Sequence, residues 1–208
     1  MRQTASVHTV TKLLERVAGM GGGRRIVGIC GPPGAGKSTL AARLAARTPA
    51  ITVPMDGFHL ANAELDRLGR RARKGAPDTF DAHGYVHLLR RLRAQDEPTV
   101  YAPEFDRDLD EPVAGAIPVP RDARLVITEG NYLLLDTAPW AAIRPLLDEV
   151  WYLDPDDGER VAWLIARHRS FGESPAQARV HALGSDQRNA ELVAGTRARA
   201  DLVLHKIP

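Results

Sequence analysis

The chain carries one cysteine, Cys30, in 208 residues. An internal disulfide framework is therefore excluded, and such sparing thiol use suits a reducing cytoplasm. Aromatic residues are scarce, at 5%, and the formal net charge is only +2. A nucleic-acid partner calls for a basic groove interleaved with aromatic platforms, so none is expected. No apolar stretch approaches the about 18 residues of a membrane span, and residues 1–20 lack the apolar core of a signal peptide. No membrane partner is expected either. Internal repeats and low-complexity tracts are also missing. What remains is 44% hydrophobic and 26% charged, the balance of a globular protein. The length suits one α/β core over residues 1–208. The pattern leaves the oligomeric state open and is compatible with a homodimer.

Gly31-Pro32-Pro33-Gly34-Ala35-Gly36-Lys37-Ser38 fits G-x-x-x-x-G-K-[ST], the phosphate-binding loop of nucleotide-binding proteins. Ile26-Val27-Gly28-Ile29-Cys30 before it reads as a buried parallel strand. Thr39 to Ala46 after it are strong helix formers. Strand, Gly-rich turn and helix start form the geometry that aims backbone N–H groups and a helix N-terminus at phosphate oxygens. On this reading residues Gly31 to Thr39 hold ATP. Lys37 reaches its β- and γ-phosphates and Ser38 ligates Mg²⁺. Cys30, closing the strand, reads as a buried structural thiol.

Further strands are expected at Ile51–Val53, Leu125–Thr128, Val150–Leu153 and Leu202–Leu204, alternating with helical patterns. The implied fold is a three-layer α/β/α sandwich around a mainly parallel five-stranded sheet. Val10, Leu13, Leu14 and Val17 have helical spacing, so a leading helix packs outside the core. Ligands bind such sheets at the carboxyl ends of strands. Asp56 and Glu129 each follow a strand closely, as the phosphate loop does, so one edge gathers a cradle and two carboxylates. Residues 57–118 form a substrate-binding excursion with one helix around Tyr85, Leu88, Leu89 and Leu92. Residues 156–198 are helical and basic, with Arg160, Arg167 and Arg169 on one helix, a break at Gly172 and a capping box at Ser174-Pro175-Ala176-Gln177. Trp140, Trp151 and Trp163 read as core.

Guanine-reading N-K-x-D is absent, which argues against a GTPase. Asp81-Ala82-His83-Gly84 matches D-x-x-G in letters but follows no strand. A small-molecule kinase needs a carboxylate near the acceptor hydroxyl, an acid near Mg²⁺ and arginines against the transferred phosphoryl group. Asp56, Glu129 and the Arg160/Arg167 helix supply them. Asp56 and Glu129 could instead cap the turns at Gly57 and Gly130. The expected activity is transfer of the ATP γ-phosphoryl group to a hydroxyl of a small metabolite, with Lys37, Asp56 and Arg167 catalytic and Ser38 and Glu129 on the metal. The alternative is a regulatory ATP-binding module with little transferase activity.

Several segments resemble the uridine kinase, phosphoribulokinase and bacterial pantothenate kinase group. Met55-Asp56-Gly57-Phe58-His59 is similar to its D-[SG]-F-[YH]. Ala76 to Asp81 resemble its H-P-D-x-F-D, Pro103-Glu104-Phe105-Asp106 its P-x-Y-D, and Ile127 to Gly130 its strand-end E-G. D-G-F-H-L, F-D-R, E-G-N-Y-L-L-L-D and P-W point further to a bacterial nucleoside/nucleotide kinase-like, or fructose-transport-kinase-like, branch. The resemblance implies substrate contacts from Phe58, His59, Asp78, Asp81, Phe105, Asp106 and Arg107. It implies nucleosides, sugars or pantothenate-like alcohols as acceptors. Phe105 in place of Tyr, and Gly75 where the uridine kinases carry an acidic residue, weaken the case for uridine itself.

Overall fold

The computed structural model describes residues 9–206. Residues 1–8, the front of the leading segment read above, lie outside that range. In chain order the elements are α1 (Val10–Ala18), β1 (Arg25–Cys30), α2 (Lys37–Ala45), β2 (Ile51–Pro54), α3 (Asn62–Arg67), α4 (Ala82–Ala94), β3 (Thr99–Asp106), β4 (Glu111–Pro120), β5 (Leu125–Gly130), β6 (Glu149–Leu153), α5 (Asp157–Ser170), α6 (Pro175–Leu183), α7 (Ser185–Ala194) and β7 (Leu202–Leu204). Five strands make a parallel sheet in the order β2-β5-β1-β6-β7. All five are the strands expected from the apolar runs.

The two-residue period of β1 divides the core. Val27 and Ile29 face α1 and α2, meeting Val10, Leu13, Leu40 and Leu44. Ile26 and Cys30 face α4 and the segment after β5, meeting Leu88, Leu89, Tyr132 and Leu147. Helices therefore cover both faces, as a parallel sheet requires. Full burial of Leu40 and of Leu44 is worth about 1.5–3 kcal/mol each. Register then aligns the strand ends. Ile29 pairs with Glu129, and Pro54 pairs with the same Glu129 across the other edge of β5. The phosphate loop, Glu129 and the turn carrying Asp56 therefore leave the sheet side by side.

The excursion holds more structure than the one helix expected. α4 buries Tyr85, Val86, Leu88, Leu89 and Leu92, and β3 and β4 form a separate antiparallel hairpin running on to Pro120. That hairpin presses on the turn after β2. A Cβ built on Gly57 would lie 2.3 Å from the carbonyl oxygen of Pro103, so only glycine permits this approach. Arg24, almost fully buried, ties the hairpin to the sheet by donating to carbonyls of Leu92, Pro120, Arg121 and Ala123.

The C-terminal helices turn at Gly172, whose φ is +91°. The capping box at Ser174 forms as its letters imply, with Gln177 closing it. Trp140 and Trp151 are core, but Trp163 is 45% exposed on α5. Its helical spacing resembles that of a core residue, yet α5 turns this face to a cleft rather than to the sheet.

Candidate active site

The phosphate loop closes over the N-terminus of α2. Gly34 adopts φ +80°, and a Cβ there would meet the carbonyl oxygen of Arg160 at 2.9 Å. Gly36 begins α2 without a side-chain cap, so the first amides of the helix stay free for an anionic ligand. The loop and α2 line a cleft of about 500 Å³ with Trp163, Arg167 and Phe171 on its far wall. A second lobe of about 830 Å³ continues from Lys37 and Ser38 to Asp56, Glu129, His59 and Phe105.

Lys37 is nearly buried; its Nζ donates to the Pro32 carbonyl at 3.1 Å and to Asn131 Oδ1 at 2.6 Å. Burial lowers its pKa, while Glu129 and Asp56 oppose that shift. Ser38 Oγ donates to Glu129 Oε1 at 2.8 Å. Burial, then the neighbouring Asp56, pushes the Glu129 carboxyl up, against the pull of Lys37 and the Ser38 hydrogen bond. The hydroxyl and the carboxylate therefore sit together where a hard divalent cation would relieve both burial and repulsion, and this oxygen pair fits Mg²⁺. The uncapped helix start and the glycine cradle fit a nucleotide phosphate in the same way.

Asn131 is a site residue that the sequence reading missed. Its backbone carbonyl accepts from the Cys30 thiol at 3.3 Å, and its side chain holds Lys37. The signal was its place directly after the strand-end Glu-Gly, facing the lysine of the neighbouring loop. Cys30 itself is buried, its thiol pushed up to about 11 by burial, which fits the structural role expected of it.

The two lid arginines part company. Arg160 is buried and spent on protein partners. It donates to Pro33 O at 3.1 Å, Gln187 at 2.6 Å and Asp157 at 2.8 Å, bracing the loop from behind. The expectation that it faces the phosphates alongside Arg167 is therefore corrected: a helix repeat places the two on one face, but α5 packs the Arg160 end against the loop. Arg167 lines both lobes of the cleft and has no ion pair among the described residues. Burial, then the nearby Arg107, lowers its pKa against the pull of Asp56, Asp186 and Glu129. Arg107 reaches Asp56 only at 3.9 Å.

Of the residues that the family resemblance placed on the substrate, His59, Phe105 and Arg107 line the larger lobe. Phe58, Asp78, Asp81 and Asp106 do not, and each has other work. Phe58 packs on Tyr85 with ring centroids 5.1 Å apart. Asp78 is paired with Arg70 and Arg73 at the surface. Asp81 caps α4 by accepting from Gly84 N at 2.8 Å, so its D-x-x-G spelling is a helix start. Asp106 accepts from the amides of Asp108 and Leu109 and shapes the hairpin turn. His59 stacks on Phe80 with centroids 4.0 Å apart. Its Nδ1 has no hydrogen-bond partner, and burial drives its pKa down to about 4. Lys74 and Arg71 also reach this lobe, and both pair with Asp110.

A phosphate cradle, a lysine, a metal-ready hydroxyl–carboxylate pair and a free lid arginine at one sheet edge define a P-loop kinase. Over residues 26–204 the sequence matches the Phosphoribulokinase / Uridine kinase family, and the chain belongs to that family. It is 34% identical over 197 residues, spanning 88% of this chain and 84% of the relative, to "Putative uridine kinase C227.14" of Schizosaccharomyces pombe. It is 36% identical over 163 residues, spanning 74% of this chain and 90% of the relative, to "ATP-dependent kinase-like protein notR'" of Aspergillus versicolor. The crystal structure of a "putative fructose transport system kinase" from Silicibacter sp. TM1040 superposes with a TM-score of 0.81 at 38% identity, covering 94% of this chain and 96% of that one. The protein is thus an ATP-dependent kinase of a small metabolite. No helix among the described residues is long and apolar enough to cross a membrane.

Proposed function

We propose that the chain phosphorylates a hydroxyl of an uncharged polyhydroxy metabolite, a sugar or a nucleoside, with ATP as donor. The carrying observation is the charge layout of the cleft. The cations free to meet phosphate, Lys37 and Arg167, lie at the loop end. Deeper in, Arg71 and Lys74 share Asp110, Arg107 faces Asp56 at 3.9 Å and Asp108 adds a third carboxylate, so cations and acids balance there, and His59 is held uncharged. A pocket of this kind favours a neutral polar acceptor over a second phosphate. Its wall of His59, Phe80 and Phe105 offers a flat apolar face to a sugar ring or a base.

The acceptor hydroxyl lies against the Asp56 carboxylate, which orients it and takes its proton. The acceptor oxygen forms a bond to the γ-phosphorus as the bond to the β-phosphate oxygen breaks, releasing ADP. The transition state is loose, so positioning outweighs proton removal. Lys37 and the first-turn amides of α2 hold the β- and γ-phosphates. Ser38 and Glu129 would hold Mg²⁺, which supplies charge neutralisation of the phosphate oxygens. Arg167, without an ion pair among the described residues, meets charge on the phosphoryl group in flight.

The test is ADP release over a panel of fructose, ribose, uridine, cytidine, pantothenate and ribulose 5-phosphate. Turnover with a neutral sugar or nucleoside is expected to exceed turnover with the two anions by at least tenfold. Preference for ribulose 5-phosphate or pantothenate would overturn the neutral-acceptor reading. ADP release that no acceptor raises would overturn acceptor phosphorylation itself.

A further inference from the structure

Away from the reacting end, the lid helices bring two imidazoles and a carboxylate to one point. His168 lies in the last turn of α5, Glu173 in the turn beyond Gly172, and His181 in the last turn of α6. Their ligand atoms all lie within 4.8 Å of one another. His168 Nδ1 is 3.3 Å from Glu173 Oε1, and His181 Nδ1 is 2.8 Å from the same oxygen. Two ring nitrogens thus crowd one carboxylate oxygen, while the other, Glu173 Oε2, is buried with no partner. The opposite nitrogen of His168, Nε2, lies 2.8 Å from Asp186 Oδ2, at the start of α7.

We propose that His168, Glu173 and His181 form a binding site for a transition-metal dication of the Zn²⁺ class, with Asp186 positioning His168. The donor set decides the ion. Two imidazoles with one carboxylate suit Zn²⁺, whereas Mg²⁺ and Ca²⁺ select all-oxygen shells. A metal on His168 Nδ1 leaves its Nε2–H to donate to Asp186, the carboxylate–histidine–metal arrangement that fixes a ligand ring. The metal also gives the second oxygen of Glu173 a partner. Three protein ligands leave a further position open toward the cleft, which His168, Glu173, His181 and Asp186 all line. Ligands from α5, the turn and α6, with an orienter from α7, would staple the three lid helices. Arg167 is the residue before His168, so the staple would also fix the arginine that faces the phosphates.

The experiment is titration of tag-free, chelator-stripped protein with Zn²⁺ alone, monitored by a competing chromophoric chelator, with Co²⁺ absorption as a second readout. One equivalent of Zn²⁺ is expected to bind in the presence of excess Mg²⁺, and bound Co²⁺ is expected to show visible bands of a low-coordinate site. Asp186→Asn should weaken binding about 10- to 100-fold. His181→Ala, at a half-exposed position whose loss spares the core, should weaken it further and abolish the Co²⁺ bands. Circular dichroism of both variants would confirm that they are folded. Substoichiometric Zn²⁺ in the parent, full competition by Mg²⁺, or unchanged affinity in folded His181→Ala would each overturn the site.

Discussion

Arg160 and Arg167 differ by seven positions on one helix, and in the sequence little beyond the nearness of Arg167 to the Gly172 break separates them. Their neighbours do. Arg160 donates to three protein acceptors behind the loop, whereas Arg167 has none among the described residues. Arg167→Ala should therefore lower kcat about 10²- to 10³-fold and leave the melting temperature nearly unchanged. Arg160→Ala should instead lower stability by roughly 2 kcal/mol or more, because it strands buried acceptors. Single-turnover transfer and thermal melts of the two variants check this, and an exchange of their phenotypes would refute the assignment. Lys37→Ala is expected to remove turnover by a similar factor with the fold kept, since Nζ ends at a cleft rather than in the core; parent-like kinetics would refute the cradle. The residues at strand ends were legible because a parallel sheet always delivers them to one edge. Asn131 was not, because an asparagine after Glu-Gly acquires meaning only once Lys37 is seen to point at it.

Among the elements, the five sheet strands were legible as short β-branched runs, and the lid helices as basic stretches with a break and a capping box. The hairpin was not. β4 carries Pro112, Pro118 and Pro120, residues that argue against a strand unless it is an edge. β3 is interrupted by an irregularity around Pro103. Both proline patterns are tolerated because this pair stands apart from the main sheet. The hairpin nonetheless sets the acceptor side of the cleft, since Phe105 and Arg107 come from its first strand and turn. It rests on the turn that carries Asp56, through the contact of Gly57 with Pro103. Gly57→Ala would drive a Cβ into a backbone oxygen, and overpacking of this kind costs about 1–3 kcal/mol. The expected result is a kcat loss out of proportion to the stability loss, with ATP affinity retained, because the shift is felt at Asp56 and not at the phosphate loop. Measured ATP binding that falls in step with kcat would show that the two ends of the cleft are not separable in this way.

For the molecule as a whole, the cleft's neutral floor is bought with acid sensitivity. His59 is buried against Phe80 and Phe105, with Asp56 and Asp110 pulling its pKa up and Lys74 pushing it down, and burial prevails. Its pKa falls from 6.5 to about 4 on folding. Between those values the unfolded chain binds the extra proton, so folding stability rises with pH across the window. The contribution is intact above pH 6.5 and is lost progressively as pH falls toward 4, reaching roughly 3 kcal/mol in full. That is a large share of the about 5–15 kcal/mol typical of a folded domain. Glu129 acts in the opposite sense, since its raised carboxyl lets the folded state take up a proton more readily as pH falls. The comparison must therefore be between variants at matched pH. Urea unfolding of the parent at pH 7 and pH 4.5 should show a fall larger by roughly 2–3 kcal/mol than the same pair of measurements on His59→Leu. Glu129 and every surface carboxylate are common to both proteins and cancel. Equal acid losses in the two would mean that His59 is charged in the folded protein, and the case for a neutral acceptor would lose its main electrostatic support.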